Sequence, residues 1–157
     1  MKLFIVAITL IFAMHGSLQV AAQTKPVKFV KYTPPKLFTS MGVVKDSSKA
    51  PVGQAKAILA QRLTIQDEKG KKTYAIQSYQ FLYKKRVVTE DEAGNPKPTT
   101  TLMAKRFYNG DPLPATWVES MREEMIAGEE LFFFDIIVKD DKGRIMYAPT
   151  LKIFVVD

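Results

Sequence analysis

The closing stretch of the chain, residues 114–157, constrains the fold more than any other part of the sequence. Its centre is the run Leu131–Val138, which is too short to span a membrane and too rich in aromatic and β-branched residues for a surface helix. The run predicts a central strand covered on both faces. The turn residues Asp140–Gly143 and an alternating strand, Thr150–Val156, follow. The residues of this last strand predicted to point inward are Leu151, Ile153 and Val155.

A helix is predicted immediately before this run. It starts at Leu113 or Pro114, because proline is tolerated in the first helical turn. Gly128 follows where a residue that accepts positive φ turns the chain out of the helix. The apolar face of the predicted helix consists of Leu113, Trp117, Val118, Met121, Met125 and Ile126.

Upstream, the strongest turn signal is Asp67–Gly70, which predicts a hairpin between strands at Leu63–Gln66 and Tyr74–Val88. The second strand changes phase between Ile76 and Tyr79, and a β-bulge near Gln77–Ser78 would reconcile its two halves.

The segment Thr89–Pro98 predicts a solvent loop, and Thr99–Phe107 predicts the strand beyond it. Met41–Val44 predicts a short strand, while Val52–Leu63 has helical spacing or forms the approach to a strand. The spacing of these turns favours a mainly β fold, a β-sandwich of five to seven strands with one helix; the alternative is an α+β fold.

The N-terminal segment has the pattern of a cleaved signal peptide. Met1 and Lys2 precede the apolar run Leu3–Ala13, and the small residues Val20–Ala22 precede the predicted cleavage site. A retained membrane anchor is the alternative, but the apolar run is short for a membrane span. The predicted organisation is a signal peptide at 1–22, an extended leader at 23–41 and one domain at 42–157, with no integral membrane span after cleavage.

Loss of the signal peptide removes His15, the only histidine, and the chain has no cysteine. The mature chain therefore excludes histidine- and thiol-dependent nucleophilic sites, histidine-ligated zinc and thiol redox chemistry. The sequence predicts no catalytic, cofactor-binding or metal-binding residue, and hence a protein that is not an enzyme. Glu90–Glu92 with Asn95 could ligate calcium, but a solvated hairpin tip explains these residues better.

The mature chain keeps 22 basic residues against 16 acidic ones, a net charge of +6, because Lys2 leaves with the signal. An exported basic protein can bind anionic lipid, wall polymers or an acidic protein surface, although scattered charges also serve solubility alone. Export argues against nucleic acid as a partner. The interaction candidates are Trp117, Tyr79, Tyr83, Lys84, Lys85 and Arg86. Asp135, inside the apolar run, is either a buried carboxylate or a residue on the outside of the sheet.

The segments Ile126–Ile136 and Val138–Arg144, followed by Pro149 and the final strand, resemble the C-terminal domain of the gliding-motility protein GldM. In that family a glycine and an acidic pair precede a strand with a central Asp or Asn, a lysine-containing turn with glycine, a proline and the last strand. The upstream segments from Gly42 to Leu63 and from Tyr74 to Tyr83 fit the same domain more loosely.

This resemblance implies an immunoglobulin-like sandwich that works as a scaffold in the type IX secretion and gliding apparatus of Bacteroidetes-type bacteria. It also implies a partner among the envelope proteins of that apparatus, and a domain that dimerises. Family members are long and carry a membrane anchor, whereas this sequence predicts a cleaved signal and one domain. We therefore expect a free adaptor in the periplasm or at the cell surface; the alternative is a module that binds glycans or cell-wall polymers.

Overall fold

A computed structural model describes residues 31–157, of which Thr33–Asp157 form one compact unit. This part of the chain is mainly β, with two sheets and two helices, which confirms the predicted β-sandwich class. The strands are β1 (Leu37–Met41), β2 (Val44–Lys45), β3 (Ser48–Pro51), β4 (Leu63–Asp67), β5 (Ala75–Glu90), β6 (Pro96–Tyr108), β7 (Glu130–Lys139), β8 (Ile145–Ala148) and β9 (Leu151–Val156). The helices are α1 (Val52–Ile58) and α2 (Ala115–Glu124).

The larger sheet has the strand order β3-β9-β7-β5-β6, and β8 also pairs with β7. β7 is therefore central, with β5 on one side and both β8 and β9 on the other. The pairs Lys139–Ile145 and Glu130–Phe154 belong to one antiparallel register, so β8 and β9 continue one another along β7. The predicted Asp140–Gly143 turn joins β7 to β8, with Gly143 at φ 79° as expected.

The smaller sheet has the order β2-β1-β4. Its first strand, Leu37–Met41, lies in the segment predicted to be an extended leader, and it alternates buried and half-buried residues. The predicted short strand Met41–Val44 is instead the turn between β1 and β2, because Gly42 adopts φ 59° and reverses the chain. The predicted signal peptide and residues 23–30 of the predicted leader lie outside the described residues.

The predicted hairpin around Asp67–Gly70 is wrong beyond its first rung. The turn forms, since the Gly70 N–H donates to the Asp67 carbonyl at 2.8 Å, and a single bridge joins Gln66 to Thr73. β4 then pairs with β1, whereas β5 pairs with β6 and β7. The chain therefore crosses from one sheet to the other after this turn.

The predicted bulge in β5 is confirmed. The register of β5 against β7 shifts between Ile76 and Ser78, and shifts again between Ser78 and Gln80. The second shift compensates for the first, because β7 has its own irregularity at Asp135, where φ is 48°. Both Ile76 and Tyr79 consequently point into the core, although they are three residues apart.

Half of the predicted solvent loop Thr89–Pro98 is strand, although the whole segment is exposed. β5 runs to Glu90 and β6 begins at Pro96, so only a short turn separates them. β7 pairs with β5 only as far as Lys84, and most of the hairpin beyond that point is exposed. The distal hairpin, residues 87–100, forms a two-stranded arm that extends past the sheet.

Helix α2 was predicted on the correct stretch, with different ends. It begins after Pro114, whose carbonyl accepts the Trp117 and Val118 N–H groups at 3.0 Å. It ends at Glu124, because Met125 is already extended, so Gly128 turns the chain three residues later rather than closing the helix. Ile126 is 49% exposed and does not belong to the buried face. α1 bears out the helical interpretation of the Val52–Leu63 segment over its first half.

One apolar core joins the two sheets and both helices. Leu151, Ile153 and Val155 of β9 point into it, as the alternation predicted. The prediction that β7 is covered on both faces is wrong: Leu131 and Phe133 are buried, but Phe132 and Phe134 are only half-buried. The helices add their buried residues to the Phe133 side, so the other side of the larger sheet is left uncovered by the described residues. Among those residues, no helix is long and apolar enough to cross a membrane.

Candidate functional site

The two tyrosines predicted as an interaction platform lie in the core. Tyr79 is 1% exposed and donates its hydroxyl to the Asp111 carbonyl at 2.6 Å, while Tyr83 is 2% exposed and donates to the Glu129 carboxylate. Burial raises the pKa of both phenols well above the ordinary value, and for Tyr83 the bond to Glu129 raises the pKa further. Neither ring is available to a ligand.

Trp117 lies half-buried on α2, as core packing of the helix predicted. Its ring is 6.2 Å from the ring of Phe81 and 6.1 Å from that of Phe107, which it meets edge-on. The tryptophan therefore attaches α2 to the inner face of β5 and β6. This geometry removes the aromatic platform on which a glycan site at these residues would depend.

The three consecutive basic residues of β5 do not form a patch, because neighbours on a strand point to opposite faces. Lys84 lies 3.6 Å from Glu130 across the sheet, and Lys85 forms an ion pair with Glu124 at the end of α2. Arg86 donates its guanidinium to the Ala127 carbonyl at 3.0 Å. Each cation is engaged in holding the connection between α2 and β7.

Glu129 is a buried carboxylate that the sequence did not single out for this role. It is 1% exposed and accepts hydrogen bonds from the Tyr83 hydroxyl, from the Arg86 N–H at 3.0 Å and from the Ile126 N–H at 3.3 Å. Arg86 is the next residue of β5 that would bond to β7 after Lys84. Because β7 begins only at Glu130, the Glu129 carboxylate accepts the Arg86 N–H in place of a strand carbonyl.

The acidic clusters form turns. Asp91 accepts the Ala93 and Asn95 N–H groups at 2.9 and 2.8 Å, which makes the hairpin tip a self-contained turn. Asp140 binds the Arg144 guanidinium at 2.6 Å and the N–H groups of the following turn. Burial opposes ionisation of Asp140, but these bonds lower its pKa below the ordinary range. Within residues 31–157, no group of three or more acidic or histidine side chains is arranged to hold a metal ion.

Asp135 lies on the outside of the sheet. It is exposed at the bulge of β7, and the Gln80 amide donates to its carboxylate at 2.6 Å. Its positive φ shifts the phase of β7, so that Phe133 before it and Ile136 after it both point into the core. The residue therefore sets the strand geometry and is not a buried ionisable group.

The larger sheet presents a second apolar surface opposite the core, which we call the outer face. The register places the side chains of β5, β6, β7, β8 and β9 in shared rows across this face. Phe132 and Phe134 stack at its centre with ring centroids 5.0 Å apart. The apolar residues of the outer face are Leu82, Leu102, Tyr108, Phe132, Phe134, Ile137, Ile145, Tyr147 and Phe154.

Cations border the aromatic centre of the outer face. The Lys152 ammonium lies 4.3 Å from the ring centre of Phe154 and 5.9 Å from that of Phe132. It also forms an ion pair with Glu130 at 2.7 Å. The Lys152 hydrogen bond lowers the pKa of Glu130 against the opposing effect of burial, and Lys84 adds to the lowering. The aromatic centre of the face is thus bordered by an ion-paired cluster of Lys84, Glu130 and Lys152.

No family model matches this sequence, and no curated protein matches it. The resemblance to the GldM C-terminal domain therefore stays a prediction based on the residues quoted above.

The outer face was the part of the site that sequence reasoning missed. Its signal was present, because Leu131–Phe134 is apolar at both alternating positions and Leu82 lies between two buried aromatic residues. That pattern was interpreted as a strand covered on both sides. Only the three-dimensional placement of the helices shows that one of the two apolar surfaces is left open.

Proposed function

We propose that this chain is an exported, non-enzymatic protein-interaction module, and that it serves as an adaptor or scaffold for an envelope protein of a gliding or type IX secretion apparatus. The observation that carries the proposal is the outer face, where nine exposed or half-buried apolar side chains share one sheet surface with charged and polar residues, while the opposite side of the sheet forms the core. The apparatus is suggested by the resemblance of residues 126–157 to the GldM terminal domain.

The exposure of the outer face supports a macromolecular partner. Four of its residues are more than half exposed: Leu102 at 60%, Tyr108 at 58%, Ile145 at 67% and Tyr147 at 76%. Single exposed apolar residues are common on proteins, but contiguous ones rimmed by polar groups mark interaction surfaces. An open sheet surface of this kind suits a protein partner better than a small molecule, which binds in a concave pocket.

The distribution of ionisable groups favours binding over catalysis. Glu130 and Lys152 on the outer face neutralise each other, and Glu129 is saturated by three hydrogen-bond donors inside the core. The described buried side-chain nitrogen and oxygen atoms all have partners, so none is held ready for a substrate. The glycan alternative loses the platform of Trp117, Tyr79 and Tyr83.

The proposal is tested by affinity capture from the native envelope with the mature chain as bait. We expect secretion or motility components among the captured proteins. The variant Ile145→Ser/Tyr147→Ser removes one exposed aromatic ring and one exposed branched side chain from the outer face. It should reduce capture by at least about tenfold, as loss of interface anchors does.

The matched control is Val43→Ser, because Val43 is 75% exposed but lies in the β1–β2 turn of the other sheet. This variant should capture the same proteins as the unmodified chain. A captured set without secretion or motility components would contradict the assignment to that apparatus. Equal capture by the outer-face variant and the control would contradict the outer face as the binding surface.

A further inference from the structure

Strand β6 ends the larger sheet, and its free side is a row of backbone groups ready for pairing. The Asn109 N–H donates to the Gln77 carbonyl of β5, and the Asn95 carbonyl accepts from the N–H of Asp91, the residue after β5, at 2.9 Å each. Because the antiparallel ladder alternates, the even-numbered residues of β6 turn their N–H and C=O groups away from β5. No other strand of residues 31–157 pairs with that side. The residues with both backbone groups directed outward are Thr100, Leu102, Ala104 and Arg106; Tyr108 adds its N–H, since its carbonyl accepts from Asp111.

The two prolines of β6 fit this alternation. Pro96 and Pro98 are even-numbered, so each lacks only an N–H that would have pointed outward, and the β5–β6 ladder stays intact. They also end the pairing edge at Thr100. The opposite edge of the sheet, β3, is four residues long and ends in Pro51, which protects it from pairing. The stretch of the β6 edge that is free for pairing is therefore Thr100–Tyr108, roughly 27 Å long at the usual strand rise.

The charge of this edge selects its occupant. Strand β6 carries Lys97, Lys105 and Arg106 and has no acidic residue. We propose that the free edge of β6 binds an extended, acidic segment of a partner protein by strand addition, with a carboxylate opposite Lys105 or Arg106. This inference rests on the proposed interaction function and names the chemistry of its partner.

Alternate side chains of the added strand would pack against the outer face. Ala104, Leu82, Phe132 and Lys152 form one row across the sheet. A strand added beside β6 extends such rows, so alternate side chains lie next to Leu102 or Ala104 on the apolar face. The preferred segment therefore alternates apolar or β-branched residues with polar ones, and carries its acidic residues toward the end of the edge near Tyr108.

Charge argues against the two other occupants of this edge. Two copies of β6 paired edge to edge would bring six basic residues and no acidic residue into one seam. The leader of this chain, residues 23–36, carries Lys25, Lys28, Lys31 and Lys36 and no acidic residue. An acidic partner strand is the occupant that the charges of β6 favour.

Synthetic peptides provide the first test, using the mature chain. The probe is a peptide of about ten residues, long enough to span the edge, with alternating Val and Thr and two Glu residues at one end. Its comparison peptide has Lys in place of Glu. We expect the acidic peptide to bind at least about fivefold more tightly at low salt, and the difference to shrink as salt is raised to about 0.5 M.

Backbone methylation separates strand addition from other binding. In an added strand only every second N–H faces β6. Two forms of the acidic peptide, N-methylated on one or the other alternate set of residues, should therefore differ: one loses at least about tenfold in affinity and the other stays close to the parent. This comparison leaves the protein unchanged, so it does not depend on how a variant folds.

The protein variant Ala104→Pro removes one outward N–H and, like Pro96 and Pro98, no bond to β5. We expect it to fold and to lose at least about tenfold in peptide affinity. Arg106→Glu should reverse the charge preference between the two peptides. The control Val43→Ser should bind as the unmodified chain does.

Several results would overturn the inference. Equal binding of the acidic and basic peptides would do so, as would equal effects of the two methylation patterns. Slow hydrogen exchange of the Leu102 and Ala104 amides in the free chain would show that a second copy or the leader already pairs with β6. If Ala104→Pro still captures the envelope partner while Ile145→Ser/Tyr147→Ser does not, strand addition is wrong and the proposed function stands.

Discussion

The two faces of the larger sheet are built from the same strands and differ in how their aromatic residues are treated. On the inner face Phe133 and Phe81 are fully buried, with ring centroids 4.9 Å apart. On the outer face Phe132 and Phe134 stack at a similar distance, 5.0 Å, but they are only half-buried. The ring contacts are thus alike. The faces differ because the helices and the smaller sheet pack on the inner face.

Under the proposed function, this difference lets one sheet combine a framework with a recognition surface. The inner face receives both helices and the smaller sheet, so its aromatic residues stabilise the fold. Within residues 31–157, the aromatic rings of the outer face are contacted by the Lys152 ammonium and by their neighbours on the sheet, so they stay partly exposed. We therefore expect substitutions on the inner face to change stability and substitutions on the outer face to change binding.

The sharpest contrast is between two neighbouring phenylalanines of β7. Phe133→Ala should lower the free energy of unfolding by about 3–5 kcal/mol, because it leaves a cavity in a packed core. Phe134→Ala should cost roughly 1–2 kcal/mol, since less area leaves water there on folding. Urea denaturation of the two variants measures the difference. Equal losses would mean that the outer face is covered in solution.

Glu129→Gln tests the buried carboxylate that accepts three hydrogen bonds just before β7 begins. The amide keeps the volume of the side chain but replaces one acceptor oxygen with an NH2 donor. That donor faces some of the three groups that donate to Glu129, from Tyr83, Arg86 and Ile126, so at least one of their hydrogen bonds is lost. We expect a loss of roughly 1–3 kcal/mol in the free energy of unfolding. Glu130→Gln, on the outer face, is the matched control and should cost less. A neutral Glu129→Gln would show that the carboxylate does not hold this junction.

Local features of this fold could be predicted from the sequence. The strand at residues 131–138, the turn at Gly143, the alternation of the last strand and the bulge at Gln77–Ser78 depend on nearby residues, and the structure has all of them. The Asp67–Gly70 turn also formed. The strands that follow such a turn choose their partners by tertiary packing, which is why β4 and β5 separate into different sheets.

The candidate surface could be predicted only in part. The apolar residues at both alternating positions of β7 were visible, but which side the helices cover is a non-local property. The polar segment Thr89–Pro98, with Gly94, Asn95 and Pro96, predicts a solvent loop from the sequence alone. The place of Pro96 and Pro98 on the outward positions of an edge strand becomes visible only once the pairing with β5 is known. Tyr79 and Tyr83 are interaction candidates in the sequence because their rings could stack on a ligand, whereas the fold buries both rings and satisfies their hydroxyls inside the core.

Alkaline pH should destabilise the inner face specifically. The pKa values of Tyr79 and Tyr83 are raised in the folded state by burial, so above about pH 10 the unfolded chain releases protons that the folded chain keeps. Their contribution to stability is complete below that pH and is lost as pH rises, by up to roughly 1.4 kcal/mol per pH unit for each tyrosine. Tyr79→Phe should flatten the decline in unfolding free energy measured by urea denaturation between about pH 10 and 12. An unchanged slope would contradict burial of this hydroxyl.

Acid pH should lower the free energy of unfolding through Glu130 on the outer face, and by less than alkaline pH lowers it through the inner face. The folded-state pKa of Glu130 is lowered, first by the Lys152 hydrogen bond, so its contribution is present above the ordinary carboxyl pKa and is lost as pH falls through the folded value. Because the pair lies at the surface, we expect under about 1 kcal/mol. The loss should appear below about pH 4.5 in the unmodified chain and be absent from Glu130→Gln. The same loss in both chains would assign it to another carboxylate, such as Asp140.

The smallest change in stability, and the clearest separation of the two faces, is expected from Ile145→Ser/Tyr147→Ser. These side chains are 67% and 76% exposed and contribute little buried area, so the free energy of unfolding should change by less than about 0.5 kcal/mol. Met146, between them in sequence, is buried, and Met146→Ser should cost several times more. Thermal denaturation of the three chains, alongside the capture experiment, tests both halves of the contrast. If the double serine variant is as unstable as Met146→Ser, loss of capture reflects misfolding, and the division between a framework face and a recognition face fails.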